Sequence, residues 1–566
     1  MLSIEDLLEK GAALVELQNY AAALDCYETA LARDNDHLAS LHHLGLLYKQ
    51  VRHLSLARAY FERILEIDPN HVHALLNLGM TLKEHLHFSE ALPFLRRAAA
   101  LAPNYGLALG QVAYVTRQAC NWASLDADDA AILEYLHAEK DSSLIPFNAL
   151  SIPAVDGPAQ KAIALRYAQT QLGQWLLQPP LVSSPPSIPH TRLRIGYISA
   201  DFHEHPTVQL LGGVMAAQSD QGIVDVYVYS YGAPNNDRAR LQVQASCHVF
   251  EDINMLDHKA AARKIADDEI DILIDLKGYT QNSRLEIQAQ RPAPVIVSWL
   301  GYPVTLGHPR LADYIIGDPS VTPQEHTAHY SEKIAQMPHC YQPNDRLRQS
   351  APPVSRHDVG LPQDALVFCS FNQAAKINPE TFDTWCRLLR AVPDSVLWLL
   401  APTAYSFAQL QREALKRGVR PQQLLFASDL PVNEHLARLP LADIALDTFP
   451  YTSHTTASDA LWAGVPIVSR AGDTFASRVT ASILRAAKLA ELIATDDDDY
   501  FQRVYQLASD VSLRRAIQQK IHLAKTQTPL FDAHTFANDL TDLLQTIWQD
   551  YLTTHAAHTS SVAKWV

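Results

Sequence analysis

At 566 residues the chain is too long for a single core, and at roughly 100–200 residues per domain it divides into three or four packed units. Hydrophobic residues at 48% against charged ones at 19% exclude a disordered chain. With 46 basic and 61 acidic residues the net charge is −15, which argues against a nucleic-acid partner, since phosphate binding needs a basic stripe.

The opening MLSIEDLLEK carries two Glu and an Asp and no basic apolar leader, so a secretory signal is not expected. A repeat follows. Gly11, Gly45 and Gly79 recur at an offset of 34, with Ala23, Ala57 and Ala91, then Tyr27, Phe61 and Leu95, then Ala30, Ile64 and Ala98 in register. Pro69 and Pro103 close two of the units, where Asn35 stands in the first. Small residues let paired helices cross closely, the aromatic or Leu fills between turns, and the proline stops the second helix. Period and pattern are those of the tetratricopeptide repeat: three full units and a partial fourth over 1–120. Such a solenoid offers a concave face to an extended peptide, or it serves only for stacking.

Helical periodicity continues in DADDAAILEYLHAEK and AQKAIALRYAQTQLGQWLL. The stretch QPPLVSSPPSIPH, with five prolines and three serines, then ends a connector over 121–190. Beyond it, short apolar strands alternate with helical stretches: RLRIGYIS, VDVYVYSY, IDILIDL, APVIVSWL and DYIIGD over 191–345, and LVFCSF, SVLWLLAP, LLFAS, IALDT and PIVSR over 346–530. The uncharged stretch 292–309 contains four prolines and is no membrane span. Alternation of this kind predicts two doubly wound parallel sheets with helices on both faces, and a last helix and tail over 531–566. The six Cys stand singly, without a C-x-x-C pair, which leaves neither a disulfide frame nor a thiolate zinc site. The expected compartment is the cytoplasm.

Ligands of such sheets sit beyond the carboxyl ends of the strands. In the first, Ser199-Ala200-Asp201-Phe202-His203-Glu204-His205-Pro206-Thr207 follows the opening strand. His205 is either a base or donor to a ligand, or the cap of the next helix. In the second, Lys376 lies five residues past an apolar strand and could meet an anion as a point charge; the alternative is a solvated Lys. Asn378-Pro379 is an N-cap with proline behind it. After IALDT, Thr452 to Asp459 runs a hydroxyl-rich loop into a helix, whose free N–H groups and dipole make an anion site. Thr455 and Asp459 share one face of it, and an Asp one turn inside suits ribose hydroxyls. The run from Asp496 to Asp499 reads as a solvated turn before a helix rather than a metal site. G-x-G-x-x-G, P-loop and G-x-S-x-G signatures are absent, so hydride transfer, nucleotide triphosphate hydrolysis and serine-esterase chemistry lack their parts.

Repeats joined to two Rossmann-like domains, with ISADFHEHPT, DLKGYT, RPAPVIVSWLGYP, DYIIGD, YSEKIAQMPH, FNQAAKINP, SVLWLL, EHLARLPLADIALDT, HTTASDALWAGVP and ASRV in order, resemble the O-linked N-acetylglucosamine transferases, inverting enzymes of the GT-B fold. The short repeat array is similar to that of bacterial homologues. The resemblance implies transfer of N-acetylglucosamine from UDP-GlcNAc to protein Ser/Thr hydroxyls, with no cofactor and no metal. It makes His205 and Lys376 catalytic. It assigns Gln373 and Lys376 to the pyrophosphate, Thr455 and Thr456 to the phosphates with His454 nearby, Asp459 to the ribose, and His435 and Arg438 to the uracil. From the facing domain, His205, Thr207 and the backbone of Leu300 and Gly301 would approach the sugar.

The chain departs from the animal members in three places. Phe147-Asn148 replaces a His-His pair, Val432 stands where they have a Lys near the nucleotide, and Glu9, His43 and Asn77 stand in the column of their asparagine ladder. The domain inserted between their catalytic halves is absent. The resemblance implies protein or peptide acceptors, but with only Asn77 left of the ladder their binding along the repeats does not follow from it. Two other readings remain: a SPINDLY-type fucosyltransferase using GDP-fucose, and a catalytically degenerate repeat scaffold, against which Lys376, Thr455 and Asp459 stand.

Overall fold

The structure, a computed structural model, describes residues 2–17, 19–138, 143–186 and 188–562. The expected connector and tail thus include residues outside the description: 139–142, 187 and 563–566. Two compact units divide the chain. One is Met1–Asn148 with Met255–Asp257 and Pro402–Gln409, and the other holds the remainder.

The repeats of the first unit are antiparallel helix pairs: α1 (Ile4–Glu16) with α2 (Tyr20–Leu31), α3 (Leu38–Gln50) with α4 (Leu54–Ile67), and α5 (Val72–Glu84) with α6 (Phe88–Leu101), followed by α7 (Gly106–Gln118). Each repeat glycine is needed for the pairing. A Cβ would lie 2.3 Å from the Tyr27 ring on Gly11, 2.6 Å from Phe61 on Gly45 and 2.6 Å from Leu95 on Gly79. The side chain from the second helix therefore rests on the backbone of the first. Full burial of such a group contributes about 1.5–3 kcal/mol. His37 and His71, one repeat apart, cap α3 and α5 by accepting from Ser40 N and Ala74 N. Asn77 of the ladder column is engaged inside the repeats, its amide donating to His73 O and meeting His42 Nε2 at 3.2 Å.

The second unit contains two all-parallel sheets. The first runs in the order β3-β2-β1-β4-β5-β6-β7, from β1 (Leu193–Ser199), β2 (Val224–Ser230), β3 (Val249–Asp252), β4 (Ile272–Asp275), β5 (Val295–Ser298), β6 (Tyr314–Gly317) and β7 (Lys333–Gln336). The second runs β10-β9-β8-β11-β12-β13, from β8 (Leu366–Ser370), β9 (Ser395–Leu400), β10 (Leu424–Ala427), β11 (Ile444–Leu446), β12 (Ile467–Arg470) and β13 (Ile493–Ala494). Central strands are buried on both faces and read as continuous apolar runs. The strands that the alternation misses, β3, β7 and β13, all lie at sheet edges. An edge pairs on one side only, and the VFED and KIAQ segments accordingly keep polar, exposed positions.

The order reverses between β1 and β4 in the first sheet and between β8 and β11 in the second, and the loops after these strands are where such folds bind ligands. Buried Asp318, just after β6, accepts from Ser482 Oγ (2.6 Å) and Tyr341 N (2.8 Å), tying the first sheet to the helix Val479–Ala486 of the second. The last helix, Ala533–Val562, returns to the first sheet. Phe536 stacks on Trp299, Thr541 accepts from Gln218, and Lys333 donates to Asp550 at 2.9 Å. The four aspartates are the N-cap and first turn of a helix: Asp496 caps Asp497–Ser509 by accepting from Asp499 N. The six cysteines are unpaired, and no described helix is long and apolar enough to cross a membrane.

Candidate active site

β8 ends into Asn372 and a single 3-10 turn, Ala374–Lys376, with Gln373 exposed at its N-cap. The turn swings the Lys376 side chain toward the loop after β11. Its ammonium donates to Thr452 O at 2.9 Å and lies 3.9 Å from the Tyr451 ring centroid. Burial pulls its pKa down to about 8, with Asp447 pulling the other way. Asp447, at the end of β11, shapes that loop. One oxygen accepts from Thr448 N and Ser453 N, and the other from Ser469 Oγ. Asn372 bridges the two loops, donating to Ser453 Oγ (2.7 Å) and accepting from Thr456 Oγ1 (3.1 Å).

The helix Thr455–Trp462 starts from this scaffold with His454 at the N-cap and no side chain capping it. Its first N–H groups and dipole end therefore stay available to an anion, on the same sheet edge as Lys376. His454 is held neutral. Burial, then the neighbouring Lys376 charge, drives its pKa well down, and its buried Nε2 has no hydrogen-bond partner. An unsatisfied buried polar atom of this kind is uncommon and marks a place for a ligand atom.

On the far side of the same edge, the helix Val432–Arg438 carries His435 and Arg438. Arg438 donates to Ser428 O (2.7 Å) and to His435 Nδ1 (3.1 Å), with its guanidinium over Phe371. Burial lowers His435 to about 4. An Nδ1 that accepts leaves the ring hydrogen on Nε2, so His435 is a neutral donor. Val432 opens the helix and is exposed. Asp459 is not open: its Oδ1 accepts from Arg348, and both side chains are nearly buried, at 9% and 7% exposure. Burial raises its carboxyl pKa and Arg348 opposes that shift.

In the first sheet His205 is the N-cap of the helix Pro206–Gln221. Its Nδ1 accepts from Thr207 N at 3.2 Å and meets Thr207 Oγ1 at 3.0 Å. The capping and ligand readings are thus compatible, but the cap decides the tautomer: with Nδ1 accepting, Nε2 carries the hydrogen and donates. Burial lowers the His205 pKa, Asp201 raises it, and Lys277 and His203 lower it further. Lys277, after β4, donates to Asp201 at 2.7 Å, and Asp201 lies 3.7 Å from His205 Nδ1. After β5, Leu300 takes a left-handed φ of 73°, and a Cβ on Gly301 would lie 1.9 Å from Leu276 O. Only glycine lets these two loops pass so closely.

The structure thus brings Lys376, His454 and Thr456 to the loop after β11, with Asn372 bonded to Ser453 and Thr456, and pairs His435 with Arg438 and His205 with Thr207. No hydrogen bond or ion pair among the described residues joins His205 or Thr207 to the second-sheet group. Sequence reasoning missed Asn372, Asp447, Lys277 and Arg348. Lys277 stands inside DLKGYT and Asn372 inside FNQAAKINP, but a motif does not say which member reaches across to another strand. Among the described residues no His, Cys, Asp and Glu group is arranged to hold a metal.

Two doubly wound parallel sheets in one unit, with a cation and an uncapped helix start at one switch point, define the GT-B architecture of glycosyltransferases. The family model of glycosyl transferase family 41 matches residues 120–354 and 341–540, and the chain belongs to that family. A tetratricopeptide repeat model matches 38–71. Among curated relatives, the probable UDP-N-acetylglucosamine–peptide N-acetylglucosaminyltransferase SEC of Arabidopsis thaliana is 34% identical over 413 residues, covering 70% of this chain and 42% of that protein. The UDP-N-acetylglucosamine–peptide N-acetylglucosaminyltransferase of Caenorhabditis elegans is 29% identical, covering 64% and 41%. A probable enzyme of the same description named SPINDLY, from Petunia hybrida, is 32% identical, covering 64% and 39%. The chain spans about two fifths of the length of these relatives. A solved structure of a mutant O-GlcNAc transferase from Thermobaculum terrenum is 28% identical, covers 98% of both chains and superposes with a TM-score of 0.72.

Proposed function

We propose that the chain is an inverting, metal-independent glycosyltransferase that moves N-acetylglucosamine from UDP-GlcNAc to Ser and Thr hydroxyls of proteins. The observation that carries the reading is the pairing of the Lys376 ammonium with the uncapped start of the helix Thr455–Trp462 at the switch point of the second sheet. As the sugar bond breaks, charge builds on the departing β-phosphate. A fixed cation and preset N–H donors stabilise that charge without reorganising. Gln373, Thr455 and Thr456 hold the same diphosphate, Asp459 the ribose, and His435 with Arg438 the base. His205 acts at the sugar as a hydrogen-bond donor through Nε2, because its Nδ1 is committed to the helix cap. Thr207 and the Leu300–Gly301 backbone complete that side. The repeats receive the protein acceptor. Six unpaired cysteines support a reducing compartment, the cytoplasm, as the place of this reaction.

A calorimetric titration with UDP and GDP, followed by transfer from labelled UDP-GlcNAc, tests the reading. UDP is expected to bind and GDP to bind at least ten-fold more weakly. Tighter GDP binding would replace this donor with the guanosine donor of the SPINDLY-type reading. Binding without turnover on any acceptor, and without donor hydrolysis, would support the degenerate scaffold.

A further inference from the structure

We propose that Arg348 is a positioning residue for the donor's ribose, fixing the Asp459 carboxylate so that its second oxygen accepts from the ribose diol; this rests on the nucleotide-sugar reading above. Arg348 lies 111 residues from Asp459 in sequence and comes from the segment that leaves the first sheet. That segment is anchored beside it. Arg346 donates to Lys525 O at 3.0 Å and pairs with Asp532 at 3.1 Å, and Leu347 N donates to Asp345 Oδ1 at 2.7 Å. From there Arg348 places one Nη on Asp459 Oδ1 and the other on Asn344 Oδ1 at 2.7 Å, with Phe531 beneath the guanidinium.

Two features distinguish this pair from an ordinary structural salt bridge. Its Nε–H is buried with no hydrogen-bond partner, whereas a self-sufficient buried network satisfies its donors. Asp459 also sits one turn inside the uncapped helix that starts just after Thr452, the residue Lys376 donates to, where a nucleoside attached to the diphosphate would lie. A buried ion pair adds little stability of its own, so fixed geometry is what it supplies best. Engaging Oδ1 settles the carboxylate's rotamer, and the Arg348 charge opposes the rise in pKa that burial causes. An oriented acceptor discriminates in favour of a diol, because the analogue lacking it leaves the second carboxylate oxygen without a hydrogen bond.

The test is calorimetric binding of UDP and of 2′,3′-dideoxy-UDP to the full chain. Wild type is expected to prefer UDP by about ten- to hundred-fold, the span of a charge-assisted hydrogen bond. Arg348→Met is expected to bring the two affinities within about two-fold while leaving the dideoxy affinity unchanged, and Asp459→Asn should do the same. Arg348→Lys, which has one ammonium for two acceptors, should give an intermediate ratio and keeps the test available if the Met variant does not fold. A wild-type ratio in either Arg348 variant, or an equal loss for both nucleotides, overturns the proposal. A wild-type protein that binds neither nucleotide overturns the donor reading, and this inference with it.

Discussion

Replacing Lys376 with methionine keeps the length of the side chain and removes one charge. In the fold the ammonium has a single hydrogen bond, to Thr452 O, and a contact with the Tyr451 ring. It is also desolvated enough to lower its pKa to about 8, so removing it relieves a burial cost while losing two modest contacts. The variant should therefore melt near wild type. Catalysis is another matter. A unit charge about 4 Å from a developing oxyanion is worth ~4 kcal/mol at an effective dielectric near 20. Loss of one such preset contact typically costs ~3–4 kcal/mol, or roughly 10²–10³ in rate. Because charge on the β-phosphate grows toward the transition state, turnover should fall further than UDP affinity. Thermal melting, UDP calorimetry and transfer from labelled UDP-GlcNAc measure the three quantities separately. Turnover within a few-fold of wild type in a folded variant would refute the assignment and leave Lys376 as a structural tie to the loop after β11.

The same ammonium predicts a pH dependence. The anion binds the protonated lysine, so UDP affinity should be level below pH 8 and fall about ten-fold by pH 9, with proton uptake on binding; Lys376→Met should abolish the slope. His205→Ala removes both cap and Nε2 donor, and should lose about 1 kcal/mol of stability along with most turnover. His205→Asn, which can still cap, should regain the stability and not the turnover. If it recovers activity, the imidazole has no role at the sugar. Gly45→Ala would place a methyl 2.6 Å from the buried Phe61 ring, so the repeats should lose about 1–3 kcal/mol while UDP affinity stays unchanged. A fall in UDP affinity would tie the repeats to the donor site.

What the amino-acid sequence determined by itself was whatever local periodicity or spacing can encode. Glycine, alanine and aromatic columns 34 residues apart specify helix pairs, because each repeat packs mainly on its neighbours. Apolar runs alternating with helices specify central parallel strands, and Lys376 and Thr455 are legible because strand ends tell which loops meet a ligand. Edge strands such as VFED escape this reading, since half-exposed pairing leaves no apolar run. Only the tertiary structure decided which side chains share a charge. Lys277 reaches Asp201 across 76 residues, and Arg348 reaches Asp459 across 111. It also decided the tautomers of His205 and His435, which depend on a backbone N–H and a guanidinium brought to Nδ1 by folding. The physical reason is the same in each case. Periodicity is set by hydrophobic burial along the chain, whereas protonation and the orientation of a carboxylate are set by one or two partners at hydrogen-bonding distance, and those partners are chosen by the way the sheets and their connecting segments pack.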